Sequence, residues 1–202
     1  MKYLSTVCTL IFILAFLCSF AFGETSPIAK GRKILDGSFA MSSSGGDLYE
    51  DLNGDRGASI NGAVSGGYFL IPNLAVGAKF SLARDSYGDS SSTYWGIGPQ
   101  LSYFIGSPEP KDDFQGVVYP FLSVCFLYSR DTAKMKILEE TETFTDSLIT
   151  IGLGGGICVM VSDTVGFVIR TDYEIDRLSP DEGDSISGNE IVLRAGIAAF
   201  GY

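Results

Sequence analysis

The sequence contains no histidine, a single tryptophan and only four cysteines among its 202 residues. Without histidine, the commonest general base and metal ligand is missing, and a Ser–His nucleophile cannot be built. Cys8 and Cys18 fall within the first 23 residues, the N-terminal stretch that carries an apolar run, so only Cys125 and Cys158 remain for the body of the chain. Two cysteines are too few for a disulfide scaffold. A basic surface is missing too: 14 Lys and Arg stand against 24 Asp and Glu, with no cationic stripe. Nucleic acid is therefore not an expected partner. Past the N-terminus, every apolar segment is interrupted by Gly, Pro or charge and falls short of the ~20 residues of a spanning helix.

The N-terminal run itself extends from about Leu10 to Phe22, follows Lys2, and ends on Ala21-Phe22-Gly23 before a polar Glu-Thr-Ser-Pro. That pattern predicts a secretory signal peptide over 1–23, cleaved after Gly23. The run is short for a retained helix, and Leu17 before Cys18 does not suit a lipoprotein signal. The predicted mature chain, 24–202, has one domain's length and sets 24 acidic residues against 13 basic ones, a formal charge of −11. An exported chain without an anchoring helix is either a soluble secreted protein or a membrane β-barrel.

Alternation of apolar and polar residues recurs eight times and predicts strands near 33–42, 57–70, 74–84, 93–105, 117–128, 147–161, 164–176 and 189–202. Ile71-Pro72-Asn73 and Ser162-Asp163-Thr164 are short connections, and 106–116 is a Pro-rich one. The stretches 43–56, 85–92, 129–146 and 178–188 read as longer polar loops. In an up-and-down chain the two sets lie at opposite ends. Period two does not say which face is inside, so the composition of each face decides. Leu74, Val76, Phe80 and Leu82 oppose Ala75, Gly77, Lys79, Ser81 and Ala83. Ile149, Ile151, Leu153 and Ile157 oppose Thr150, Gly152, Gly154, Gly156 and Cys158. A face of Gly, Ala and Ser suits a narrow barrel interior, because glycine weakens a solvated sheet. The other face is bulky, with aromatics near strand ends (Tyr68, Phe69, Trp95, Tyr103, Phe104, Tyr119, Phe121, Tyr128, Tyr173, Phe200 and Tyr202), as in interfacial girdles. The expected fold is an all-β, eight-stranded antiparallel up-and-down transmembrane barrel.

The order of SGGYFLIPNLAVGAKFSL, TYWGIGPQLSYFI, YPFLSVCFLYSR and GLGGGICVMVSDTVGFVIRTDYEID, with a last strand ending in Tyr202, resembles the small outer-membrane β-barrel proteins of the OmpA/OmpX type over nearly the whole mature chain. The resemblance implies that fold and an outer-membrane location in a diderm bacterium.

Among motifs, GLGGG (152–156) lacks the final glycine of a phosphate loop and runs on as strand, so it reads as small lumen residues. DLNGDRG (51–57) matches the first positions of a calcium loop at Asp51, Asn53 and Asp55. Arg56 and Gly62 then stand where Gly and Glu are needed, so it reads as a solvated acidic loop. Lys79, Arg170, Asp172 and Glu174 share the inward phase and form a candidate mixed-charge network in the lumen, joined by Asp36 and Arg194 if their strands carry them on the same face; Gly201 between the two terminal aromatics leaves both phases open for the last strand. End-to-end alignment of 117–128 with 147–161 sets Cys125 opposite about residue 153. Cys158 is then about five residues away, roughly 16 Å at strand rise, out of disulfide reach. No cofactor, metal or catalytic group is expected. The expected function is a non-catalytic, monomeric outer-membrane barrel in contact with lipid, serving envelope structure or surface ligands through its acidic loops. The alternative is a narrow conduit or carrier for small apolar molecules, as a channel or a secreted lipocalin-like binder.

Overall fold

The computed structural model describes residues 26–45, 58–87, 90–111, 113–137, 140–179 and 186–201. The predicted signal peptide, the DLNGDRG motif and Tyr202 lie outside the described residues. Eight strands form one closed barrel in chain order: β1 (Lys33–Gly45), β2 (Ala58–Ile71), β3 (Leu74–Tyr87), β4 (Ser90–Phe104), β5 (Val118–Ile137), β6 (Glu140–Met160), β7 (Val165–Ser179) and β8 (Ile186–Gly201). Every neighbouring pair is antiparallel, and β1 closes on β8 from Lys33 opposite Gly201 to Gly45 opposite Asn189. An even strand number lets the first and last strands run antiparallel and leaves the sheet without an edge.

Alternation sets the two faces as the sequence implies. Leu82, Ile97, Leu122, Leu153, Ile169 and Ile197 point out of the barrel, while Ser81, Ser102, Ser123, Thr150 and Val168 point in and are buried. In β8 the inward residues are Val192, Arg194, Ala198 and Phe200, and the outward ones include Ile191, Leu193 and Ile197. Cys125 lies opposite Gly152 and Cys158 opposite Tyr119, both thiols free and buried, so the register keeps them apart.

Two expectations are corrected. The stretches 85–92 and 129–146 are not loops: β3 runs to Tyr87 before β4 begins at Ser90, and β5 runs to Ile137 before β6 begins at Glu140. The β5–β6 pairing continues from Arg130 opposite Ser147 to Ile137 opposite Glu140. Polar residues there keep the two-residue period, so the hairpin extends beyond the apolar part of the barrel. Thr and Lys lower apparent hydrophobicity but still satisfy a ladder. The second correction concerns aromatics. Tyr68, Trp95, Tyr103, Tyr128 and Tyr173 do face outward, whereas Phe69, Phe104, Tyr119, Phe121 and Phe200 are inside and at most 5% exposed. Adjacent aromatics in a strand must occupy opposite faces, so each of the pairs Tyr68-Phe69 and Tyr103-Phe104 divides between outside and core.

These inward aromatics form a floor at the end with the short turns. Phe104 lies 5.6 Å from Phe69, 5.3 Å from Phe121 and 6.3 Å from Phe200, ring centre to ring centre. Ile28, from the segment before β1, and Phe114, from the connector before β5, are buried in the same cluster. The segment is held by the Gly31 amide donating to the Phe69 carbonyl (2.9 Å), the Phe69 amide donating to the Arg32 carbonyl (2.9 Å) and the Asn73 amide donating to the Ile28 carbonyl (2.9 Å). Asn73 takes a positive φ of 74° in the β2–β3 turn, a conformation asparagine tolerates better than most residues. Its side-chain amide donates to the Gly106 carbonyl at 2.8 Å, tying the turn to the connector. The Phe114 amide donates to Asp163 Oδ1 (3.0 Å), joining that connector to the β6–β7 turn.

Phe104→Ala should open a cavity at the centre of this floor and cost about 3–5 kcal/mol of unfolding free energy. Urea unfolding of the folded protein in detergent micelles measures it, and a loss below about 1 kcal/mol would mean that the floor is not close-packed.

Candidate functional site

Above the aromatic floor, the lumen is crossed by a layer of charge. Lys79 comes from β3, Arg170, Asp172 and Glu174 from β7, Arg194 from β8 and Asp36 from β1; all are buried. Successive inward positions of β7 supply three of the six, because Arg170, Asp172 and Glu174 are two residues apart. Arg170 lies opposite Arg194 in the β7–β8 register. Two guanidinium groups so close need carboxylates between them.

Asp172 is that bridge. Its Oδ1 accepts from Arg170 Nη2 (2.6 Å) and Nε (3.1 Å), and its Oδ2 accepts from Arg194 Nε (3.0 Å). Lys79 Nζ stands 3.9 Å from the same Oδ2. Glu174 Oε1 accepts from Lys79 Nζ at 2.8 Å and from Arg194 Nη2 at 3.1 Å. Asp36 Oδ2 faces Arg170 Nη1 at 3.8 Å. Three cations thus meet three carboxylates, and the layer is neutral in sum.

Two further donations go to neutral groups. Arg170 Nη2 donates to Ser123 Oγ (2.7 Å), and Arg194 Nη1 donates to Asn61 Oδ1 (2.9 Å). Arg170 also lies over the Phe121 ring at 5.5 Å, so the charge layer rests on the floor. Asn61 and Ser123 were not singled out from the sequence. Their signal was an inward phase combined with a polar side chain, shared with many other lumen residues. Nearer the hairpin end, Thr150 bonds to both Asp176 and Tyr94, and Ser129 Oγ donates to Tyr94 Oη (2.8 Å), a second polar tier.

The GLGGG motif makes room for this network. Gly152, Gly154 and Gly156 of β6 lie opposite Glu174, Asp172 and Arg170. A Cβ at Gly154 would overlap Asp172 Oδ1, and one at Gly152 would come within 2.7 Å of Cys125 Sγ. A Cβ at Gly156 would strike the β7 backbone at Ile169 and Arg170. Between floor and charge layer is a cavity of about 30 Å³, lined by Asp36, Ser65, Gln100, Ser102, Phe104, Phe121 and Arg170 among others. It has room for about two waters but not for an organic ligand.

Removing one partner of such a buried set leaves uncompensated charge. Arg170→Ala should destabilise the folded barrel by about 3–5 kcal/mol, whereas Lys111→Ala on the exposed connector should change stability by less than about 0.5 kcal/mol. Urea unfolding of both variants in micelles compares them. An Arg170→Ala loss under about 1 kcal/mol, the range of solvated pairs, would mean that water screens the network.

No family model matches the sequence, and no curated protein matches it either. Solved structures do resemble it. Neisserial surface protein A (NspA) superposes with a TM-score of 0.61 at 14% identity, covering 84% of this chain and 99% of that one. Ail, the attachment invasion locus protein of Yersinia pestis, gives a TM-score of 0.49 at 14% identity over 84% of this chain and 99% of its own. A major outer membrane protein from Thermus thermophilus gives 0.48 at 12% identity, over 84% and 98%. Closure of eight antiparallel strands in chain order, and the superposition on NspA over nearly all of that chain, lead to one conclusion: this chain has the fold of the small eight-stranded outer-membrane β-barrels.

Proposed function

We propose that the chain is an integral, non-catalytic barrel of a bacterial outer membrane, standing in lipid as a monomer, with a closed lumen and acidic hairpins on the surface. The observation that carries this reading is the outward face. Its large apolar side chains, from Ile149 at 39% exposed to Phe39 at 78%, cover every strand, far beyond the few hundred Å² of apolar patch usual on a soluble monomer. A closed sheet satisfies every backbone group internally, as a hydrocarbon environment requires. Outward Tyr68 and Tyr103 near the short turns, and Trp95 and Tyr128 nearer the hairpins, suit the two interfacial belts.

The closed lumen is supported by its contents. Aromatic floor and ion-paired layer lie in series across it, and an eight-stranded barrel is only wide enough for its own side chains. Such a molecule serves as an envelope component or as a rigid support for its acidic surface segments, which would meet surface ligands. A catalytic role has no support in this arrangement. Lys79 is bound up in ion pairs, both described cysteines lack a histidine, and no nucleophile–base pair stands over a cleft among the described residues. A secreted carrier of apolar molecules would invert the faces, with its apolar side chains toward a ligand-sized cavity.

Leu153→Arg separates a lipid-facing from a water-facing surface. Leu153 points outward between Gly152 and Gly154, level with the charge layer, and is 56% exposed. In a bilayer the substitution should cost about 2–4 kcal/mol. On a water-exposed face it should change stability by less than about 0.5 kcal/mol, which would reject the reading. Planar-bilayer recordings of the wild type should show no discrete conductance steps; steady unit currents would revive the conduit.

A further inference from the structure

The cavity between floor and charge layer has a wall that the protein itself does not satisfy. It exists because Gly67 and Gly77 face each other across β2 and β3 at inward positions and carry no side chain. The inward pairs on either side are filled: Phe69 and Ala75 belong to the floor, and Ser65 and Lys79 to the polar side. Two residues on the cavity wall carry a buried oxygen with no hydrogen-bond partner in the protein, Asp36 at Oδ1 and Gln100 at Oε1. Asp36 is 8% exposed, and its Oδ2 stands 3.8 Å from Arg170 Nη1, beyond hydrogen-bond length. Gln100 Nε2 donates to Ser102 Oγ at 3.0 Å, so the nitrogen end of that amide is taken and the oxygen end is left over.

Both of these oxygens are acceptors, and one belongs to a charged group. A buried carboxylate oxygen without a donor or a close counterion is costly. The nearest guanidinium is already committed, since Arg170 Nε and Nη2 donate to Asp172 and Ser123. The wider lumen has the same sign as Asp36. Asp131, Asp146, Asp176 and Glu190 also face inward, whereas Arg130 and Arg177 point outward. Among the described residues, inward carboxylates therefore outnumber inward cations, even with Arg32, buried before β1, counted among the latter. An occupant of this cavity must be positive or a donor, and it must bind oxygen. The space of about two waters fits one alkali cation with a water of its shell. A single carboxylate beside a guanidinium does not suit calcium, which takes about 6–8 oxygens, several of them from carboxylates.

We infer that the cavity binds one monovalent alkali cation, held by Asp36 Oδ1, Gln100 Oε1 and the hydroxyls of Ser65 and Ser102, with water completing its shell. Carboxylate, amide and hydroxyl oxygens are the hard ligands such an ion takes. The ion supplies Asp36 with the close counter-charge that Arg170 offers only at a distance. It also ties β1 and β2 to β4 across the lumen, where no direct side-chain bond joins Asp36 to Gln100. The floor on one side and the charge layer on the other close both ends, so the ion enters as the barrel folds and exchanges slowly afterwards.

The full mature protein, refolded in non-ionic detergent, tests this. One sample contains potassium chloride and the other an equal concentration of tetramethylammonium chloride, whose cation is too large for the cavity. Potassium should raise the folding equilibrium constant read from urea unfolding, saturably, by about tenfold once it reaches about ten times its Kd. Asp36→Asn keeps the shape and removes the charge, so it should abolish the difference between the two salts. Gln100→Met should reduce that difference, and it decides the matter with the wild type if Asp36→Asn does not fold. Anomalous diffraction from crystals grown with rubidium or thallium(I) should show a peak between Asp36 and Gln100. Equal stability of the wild type in both salts overturns the inference, and a long-lived water detected there by NMR then assigns the cavity to water alone. A potassium effect that survives in the variants is a general salt effect and overturns it as well. A diffraction peak without any potassium effect marks an adventitious ion only, which also overturns it.

Discussion

Closure of eight strands on themselves is the constraint from which the rest of this molecule follows. The closed ladder removes all strand edges, and it also fixes the interior at a width that side chains alone must fill. Everything placed there must pack or pair. The lower part is solved by packing, with Phe69, Phe104, Phe121 and Phe200 in contact and Ile28 and Phe114 added from outside the strands. The upper part is solved by pairing, with Asp172 shared between two arginines and Glu174 between Lys79 and Arg194.

Such pairing is costly, because six ionised groups have lost most of their water. Individual buried ion pairs often only offset their desolvation. What this layer adds is specificity of register. Sliding β7 by one residue would put Arg170, Asp172 and Glu174 on the apolar outer face, and leave Lys79 and Arg194 without partners. A charge layer built from β1, β3, β7 and β8 therefore penalises misaligned closure more strongly than it stabilises the aligned one. The glycines of β6 belong to the same solution, since any side chain at Gly154 would occupy the place of the Asp172 carboxylate.

The two ends of the barrel differ in a way that suits a molecule with a fixed orientation across a bilayer. At the short-turn end, backbone hydrogen bonds from Asn73, Gly116 and Met160 stitch the preceding segment and the connector onto the strands, sealing it. At the other end, strands β5 and β6 simply run on past the apolar band, with polar residues substituted for apolar ones and the hydrogen-bonded ladder unbroken. Inward aspartates and outward arginines then divide the charge by face.

Strand number, order and facing were legible in the sequence because the two-residue period makes facing a local property, and because the composition of the two faces differs so sharply. The inward phase of Lys79, Arg170, Asp172 and Glu174 followed from the same arithmetic, whereas that of Arg194 was settled only by the pairing of β8 with β1 and β7. Where hairpins end was not legible, since Lys134 to Ile137 and Glu140 to Thr145 read as a polar loop when hydrophobicity is the guide, yet a ladder needs only backbone partners. Nor was the destination of Phe69 or Phe104: both chain-adjacent aromatics look alike, and only closure makes one of each pair a core residue. Which carboxylate serves which cation depended on the stagger of β1, β3, β7 and β8 around the barrel, and it brought Asn61 and Ser123 into the network from distant parts of the chain. The sequence by itself determined the alternation of a small and a bulky face and the inward phase of the β3 and β7 charges; the tertiary structure decided which aromatics join them inside and what meets there, because contact across a lumen depends on shear between strands that no local pattern encodes.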